Sequence, residues 1–142
     1  MAVGIQVNLS GKLFSALAPH QVAEGAARTV QRLVEMGEER LNTILRPAPA
    51  GVFLSVSEAR RGKASKGHYR RNINGRAQGP RGVIDDSGVV YGPWLEGISP
   101  RNSTTRFKGY ASFRRTGDWL DSKAMGVARA EAARTVQALG GR

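Results

Sequence analysis

"PHQVAEGAARTVQRLVEMGEERLNTIL", residues 19–45, decides how the rest of the chain is read. Pro19 suits the first turn of a helix, where its missing N–H costs nothing. Val22, Ala26, Val30, Leu33, Val34, Leu41, Ile44 and Leu45 fall on one stripe at helical spacing, with Arg28, Arg32, Glu35, Glu38, Glu39 and Arg40 mostly off it. The spacing predicts an amphipathic helix over 19–45, ended by the Pro47 and Pro49 pair of "RPAPAG".

Outward from that helix the periodicity changes. Val3, Ile5, Val7 and Leu9 alternate with Gly4, Gln6 and Asn8, the period of a half-buried strand. On the other side, "GVFLSVSE" (51–58) has the β-branched content of a second strand. Residues 59–82 hold eight cations, no acid, five glycines and one proline, which predicts a long exposed basic loop or a mobile β-arm. "GVIDDSGVVYG" reads as a hairpin turning at Asp85, Asp86, Ser87 and Gly88, and "YASFRR" (110–115) as one more strand. Thr116 or Asp118 would cap a last helix with Leu120, Ala124, Val127, Ala128, Ala132, Val136 and Leu139 along one face, stopped by Gly140-Gly141. Gly126 inside it would be tolerated for close packing. The order predicts a single α+β domain over 1–142: a central, mostly antiparallel sheet with a long basic loop at 59–82, packed by an N-terminal and a C-terminal helix.

Composition bounds the function. The net charge is +11, and residues 46–115 carry fourteen cations against four acids, so the middle of the chain favours anionic partners. With no cysteine there is no disulfide, thiolate metal site or cysteine nucleophile. No secretory leader or membrane span is evident, and the chain reads as a soluble protein of a cytoplasm. His20 and His68 have no carboxylate beside them in the sequence, and Asp85-Asp86 looks like turn chemistry rather than a metal pair. The reading is a non-enzyme without cofactor or metal.

The cations themselves are the first candidate site: Arg60, Arg61, Lys63, Lys66, Arg70, Arg71, Arg76 and Arg81 in the arm, and Arg101, Arg106, Lys108, Arg114 and Arg115 in a second basic stretch. Tyr69 and Asn72 among the first set are expected to stack and hydrogen-bond when the arm orders against negative charge. Any DNA contact would be to the backbone and salt-sensitive. The same arginines would equally fork onto carboxylates of a neighbouring subunit.

The second candidate is "VVYGPWLEG" (89–97), where an apparent strand runs into Gly92-Pro93. Tyr91, Gly92, Pro93, Trp94, Leu95, Glu96 and Gly97, with the later "RFKGY", resemble the tyrosine, small residue, proline, aromatic, aliphatic, glutamate and glycine pattern of the neck proteins of long-tailed phages, the head–tail joining or tail-completion family. The resemblance implies a virion protein, assembled in the host cytoplasm, that forms a ring, usually of six copies. Its partners would be a head-side connector or stopper protein, a tail terminator or tail tube protein, and the DNA backbone passing through the lumen. On that reading Tyr91, Pro93, Trp94, Glu96 and Gly97 form an interaction motif: Tyr91 and Trp94 anchor it on the sheet, and Glu96 pairs with an arginine, across a subunit boundary in one version. Glu96→Ala would then leave the monomer folded but impair ring assembly. The alternative is a small basic protein that binds nucleic acid without sequence preference. A basic toxin or nuclease is disfavoured by the missing catalytic constellation.

Overall fold

The computed structural model describes residues 1–11, 17–46 and 68–140. In chain order the elements are β1 (Ala2–Gln6), α1 (Pro19–Leu45), α2 (His68–Arg71), β2 (Asn74–Gln78), β3 (Arg81–Asp85), α3 (Gly92–Glu96), α4 (Arg101–Thr104) and α5 (Ser112–Gly140). The fold is α+β, as the sequence predicts.

Helix α1 has the predicted bounds, and Ala26, Val30, Leu33, Val34, Leu41 and Leu45 of its stripe are buried. Its first turn is closed by Gln21, whose side-chain oxygen accepts from Ala18 N–H at 3.0 Å. The stripe lies on an antiparallel sheet of order β1-β3-β2, in which Val3 pairs with Ile84 and Ile84 with Gly75. Helix and sheet approach closely because glycines meet there. A Cβ on Gly82 would stand 2.7 Å from Val34 and 2.8 Å from Val30, and one on Gly37 would collide with Ile84. Helix α5 runs antiparallel to α1, with Arg28 beside Glu131 at one end and the Arg40 guanidinium 5.4 Å from the Trp119 ring centroid at the other. Phe113, Leu120 and Ala132 of α5 join Leu33, Leu41 and Ile84 in the core. Each such large aliphatic or aromatic side chain contributes about 1.5–3 kcal/mol by leaving water.

Several expectations fall. The part of the basic arm at 68–82 is not a loop: it forms α2, β2 and the start of β3, so the β alternative holds, but as part of the sheet rather than as a mobile arm. Tyr69 and Ile73 are buried there, and Gly75 and Gly82 serve close packing under α1 rather than chain flexibility. The rest of the arm at 59–67, the strand at 51–58 and the proline stop at 47–50 lie outside the described residues. The hairpin joins β2 to β3 through Gly79 and Pro80, and no strand comes after Ser87 and Gly88 among the described residues; residues 89–91 turn directly into α3. Residues 112–115 of "YASFRR" begin α5, so Thr116, buried, and Asp118 lie inside that helix and do not cap it. Gly126 faces open space, so close packing does not explain it among the described residues.

Candidate functional site

The seven residues of the motif build a small helix and the turns at its two ends. Gly92, Pro93, Trp94, Leu95 and Glu96 are α3, with proline in the first turn. Gly97 ends it at φ +95°, donating to Pro93 O at 3.1 Å, while Ile98 N–H donates to the same oxygen at 3.0 Å. That left-handed closure suits glycine. A side chain at Gly97 would strike Lys108 O, and one at Gly109, φ +90°, would strike the backbone of Gly97. The glycine of the motif and the glycine of "RFKGY" thus lie back to back, and Tyr110 N–H donates to Leu95 O at 2.6 Å.

Side chains lock the same unit. The Trp94 ring lies 4.6 Å from Phe107, and Phe107 lies 5.0 Å from Tyr110, centroid to centroid, so the rings are spent on one another. Burial raises the Tyr110 hydroxyl above its ordinary pKa. Asn102 is buried and ties three segments together: its Nδ2 donates to Trp94 O at 2.9 Å and Phe107 O at 3.2 Å, and its Oδ1 accepts from Ser99 N–H at 3.0 Å. Lys108 Nζ donates to Asn102 O at 2.8 Å and Ser103 O at 3.3 Å, which closes the C-terminal end of α4.

Among the described residues, Glu96 meets no arginine side chain. Its Oε2 accepts from Ser112 Oγ at 3.1 Å and Phe113 N–H at 3.0 Å, and Oε1 accepts from Arg114 N–H at 2.9 Å. The buried carboxylate caps the first turn of α5, where free N–H groups and the helix dipole both favour negative charge. Within the chain, both oxygens of Glu96 are thus engaged at the start of α5. The Tyr91 ring lies 5.9 Å from that of Tyr69, centroid to centroid, and Tyr91 and Trp94 are both half-buried against the core that includes Ile84 of β3. Pro93 is exposed.

The turn after β3 holds a group that sequence reasoning missed. Asp86 is 1% exposed, and its carboxylate accepts from Tyr69 Oη at 3.1 Å, Gly88 N–H at 3.1 Å and the Met1 amino group at 2.7 Å. Burial first, and the Asp86 charge second, push the Tyr69 hydroxyl far above its ordinary pKa. The signal was present: two adjacent acids in a stretch of positive charge need separate reasons, and only Asp85 stays at the surface side, paired with Arg76.

The structure scatters the predicted cations. Arg71 and Arg81 are exposed on α2 and β3, Arg70 is half-buried, and Arg76 is committed to Asp85. Arg101, Arg106, Arg114 and Arg115 are exposed around the unit built by residues 91–115. Arg60, Arg61, Lys63 and Lys66 lie outside the described residues. Among the described residues no three His, Asp or Glu side chains gather to hold a metal, and no helix is long and apolar enough to cross a membrane. No protein-family model matches the chain, and no curated protein or solved structure is significantly similar to it.

Proposed function

We propose that this chain is a structural virion protein of a tailed-phage neck: a non-enzymatic subunit that closes with identical copies into a ring, six by the resemblance, and joins the connector of a DNA-filled head to the tail. One observation carries the reading. The residues that bear the resemblance, Tyr91 to Gly97 and the "RFKGY" segment, are not scattered but fold against each other into one unit, locked at Gly97 and Gly109 and fastened to α5 by Glu96. A seven-residue likeness that also makes a single packed structure is better supported than one spread along a loop.

In this reading the motif is a scaffold and not the contact surface. Its rings pack within the chain and hold the segment from Pro100 to Arg115 in place, which leaves the contacts between neighbouring copies to other faces. Closing identical copies head to tail requires two different faces on each copy, and the long antiparallel pair α1 and α5 supplies a body stiff enough to keep their angle constant. Native mass measurement with particle imaging of the purified protein tests this: closed rings of one copy number are expected, alone or on tailless heads. A chain that stays monomeric in both settings would overturn it.

A further inference from the structure

We infer that residues 97–117 form a preorganised phosphate-binding surface, which holds the backbone of nucleic acid without reading its sequence. Four guanidinium groups carry it: Arg101, Arg106, Arg114 and Arg115.

Elsewhere on the molecule many cations are already used. On the helices and the sheet four arginines have acidic partners among the described residues: Arg28 lies 3.7 Å from Glu24 and 3.6 Å from Glu131, Arg32 3.4 Å from Glu35 and Arg134 2.9 Å from Glu131, while Arg76 pairs with Asp85; Arg71, Arg81 and Arg129 are exposed without an ion pair there but stand on three separate elements. The stretch 97–117 has five cations and no acid. Of these, Lys108 is bound to carbonyls, and the other four side chains are exposed with no ion pair among the described residues. The adjoining carboxylate, Glu96, is buried and faces the start of α5 instead.

Rigidity gives this surface its value. Arg101 begins α4, which Asn102 pins; Arg106 lies between Asn102 and Phe107; Arg114 and Arg115 are in the first turn of α5, capped by Glu96. Held on fixed backbone, the groups lose less freedom when an anion arrives than they would on a mobile arm. All four are arginine, whose planar fork suits phosphate oxygens.

Carboxylates on a protein partner fit less well. A protein interface needs an apolar centre as well as charge. Among the described residues the exposed large apolar side chains are Val90, Ile98, Met125, Val136 and Leu139, so 97–117 holds only Ile98, too little for an apolar centre. Base stacking is equally unsupported, since Trp94, Phe107 and Tyr110 pack on each other. What remains is contact with phosphates, indifferent to base identity.

Phosphate binding here does not depend on the neck reading. The test is fluorescence anisotropy of the whole protein with two unrelated short DNA duplexes at several salt concentrations. The variant Arg101→Gln, Arg106→Gln, Arg114→Gln, Arg115→Gln is compared with Arg32→Gln, Arg46→Gln, Lys123→Gln, Arg129→Gln, which removes the same charge elsewhere. The wild type should bind both duplexes equally. In the first variant the slope of log affinity against log salt should shrink by about 3–4, as expected for four lost phosphate contacts, with affinity at low salt down at least about a hundredfold. The control should lose far less, and circular dichroism should show both variants folded. Equal losses in the two variants, no binding by the wild type, or polyglutamate bound as tightly as DNA would each overturn the inference. DNA binding by a monomer leaves this inference standing and removes the ring; a ring that ignores DNA does the reverse.

Discussion

Glu96 accepts three hydrogen bonds at the start of α5, two of them from backbone N–H groups with no partner inside the helix. Removing the side chain leaves those donors buried and unsatisfied, so Glu96→Ala should lower stability in urea titration by about 2–4 kcal/mol, while Glu96→Gln, which keeps one acceptor, should cost roughly half that. A change near zero for Glu96→Ala would mean that the cap does not form. Tyr69 gives a second expectation. Its hydroxyl donates to Asp86 from full burial, so the folded pKa lies above the unfolded value of about 10. Below that value Tyr69 is protonated in both states and its contribution is complete. Above it the unfolded chain releases a proton that the folded chain retains, and stability falls as pH rises. Tyr69→Phe should flatten the alkaline side of the stability profile and lower stability near neutral pH by about 1 kcal/mol. An unchanged alkaline slope would place Tyr69 in contact with solvent.

At the scale of elements, two kinds of glycine separate. Gly97 closes α3 at positive φ with Lys108 O against it, so Gly97→Ala adds backbone strain to a steric collision. A loss of at least about 2 kcal/mol is expected. Gly126 sits in the middle of α5 with nothing near its missing Cβ, so Gly126→Ala should instead raise stability by roughly 0.5–1 kcal/mol. Thermal unfolding of the two variants checks both signs; destabilisation by Gly126→Ala would reveal a contact from outside the described residues. Helix α1 was legible because its apolar stripe holds along its whole length. Helix α5 was placed correctly but started late, since the residues that begin it, Ser112 to Arg115, carry no cap of their own type. Their cap arrives from Glu96, sixteen residues earlier than Ser112.

For the whole molecule, charge and packing divide the chain differently. The net charge of +11 suggested one mobile basic arm and a second basic stretch. The structure instead folds part of the first, around Tyr69 and Ile73, into the core, and sets the second as a rigid surface whose exposed arginines form no ion pair among the described residues. Polar side chains of the second stretch serve the fold: Asn102 and Lys108 saturate backbone carbonyls, so only four of its five cations remain available to a partner.

Local periodicity and chain order settled the α+β class, the bounds of α1 and the N-terminal strand, because an amphipathic stripe or an alternation is complete within its own segment. They also brought Tyr91 to Gly97 forward as one motif. That Gly97 needs Gly109, that Glu96 serves α5, that Asp86 lies under Tyr69 and that glycines in a basic stretch admit a helix against a sheet were decided only by tertiary structure. Each of those relations joins residues twelve or more positions apart, and a sequence carries no mark of a contact whose other half lies elsewhere in the chain.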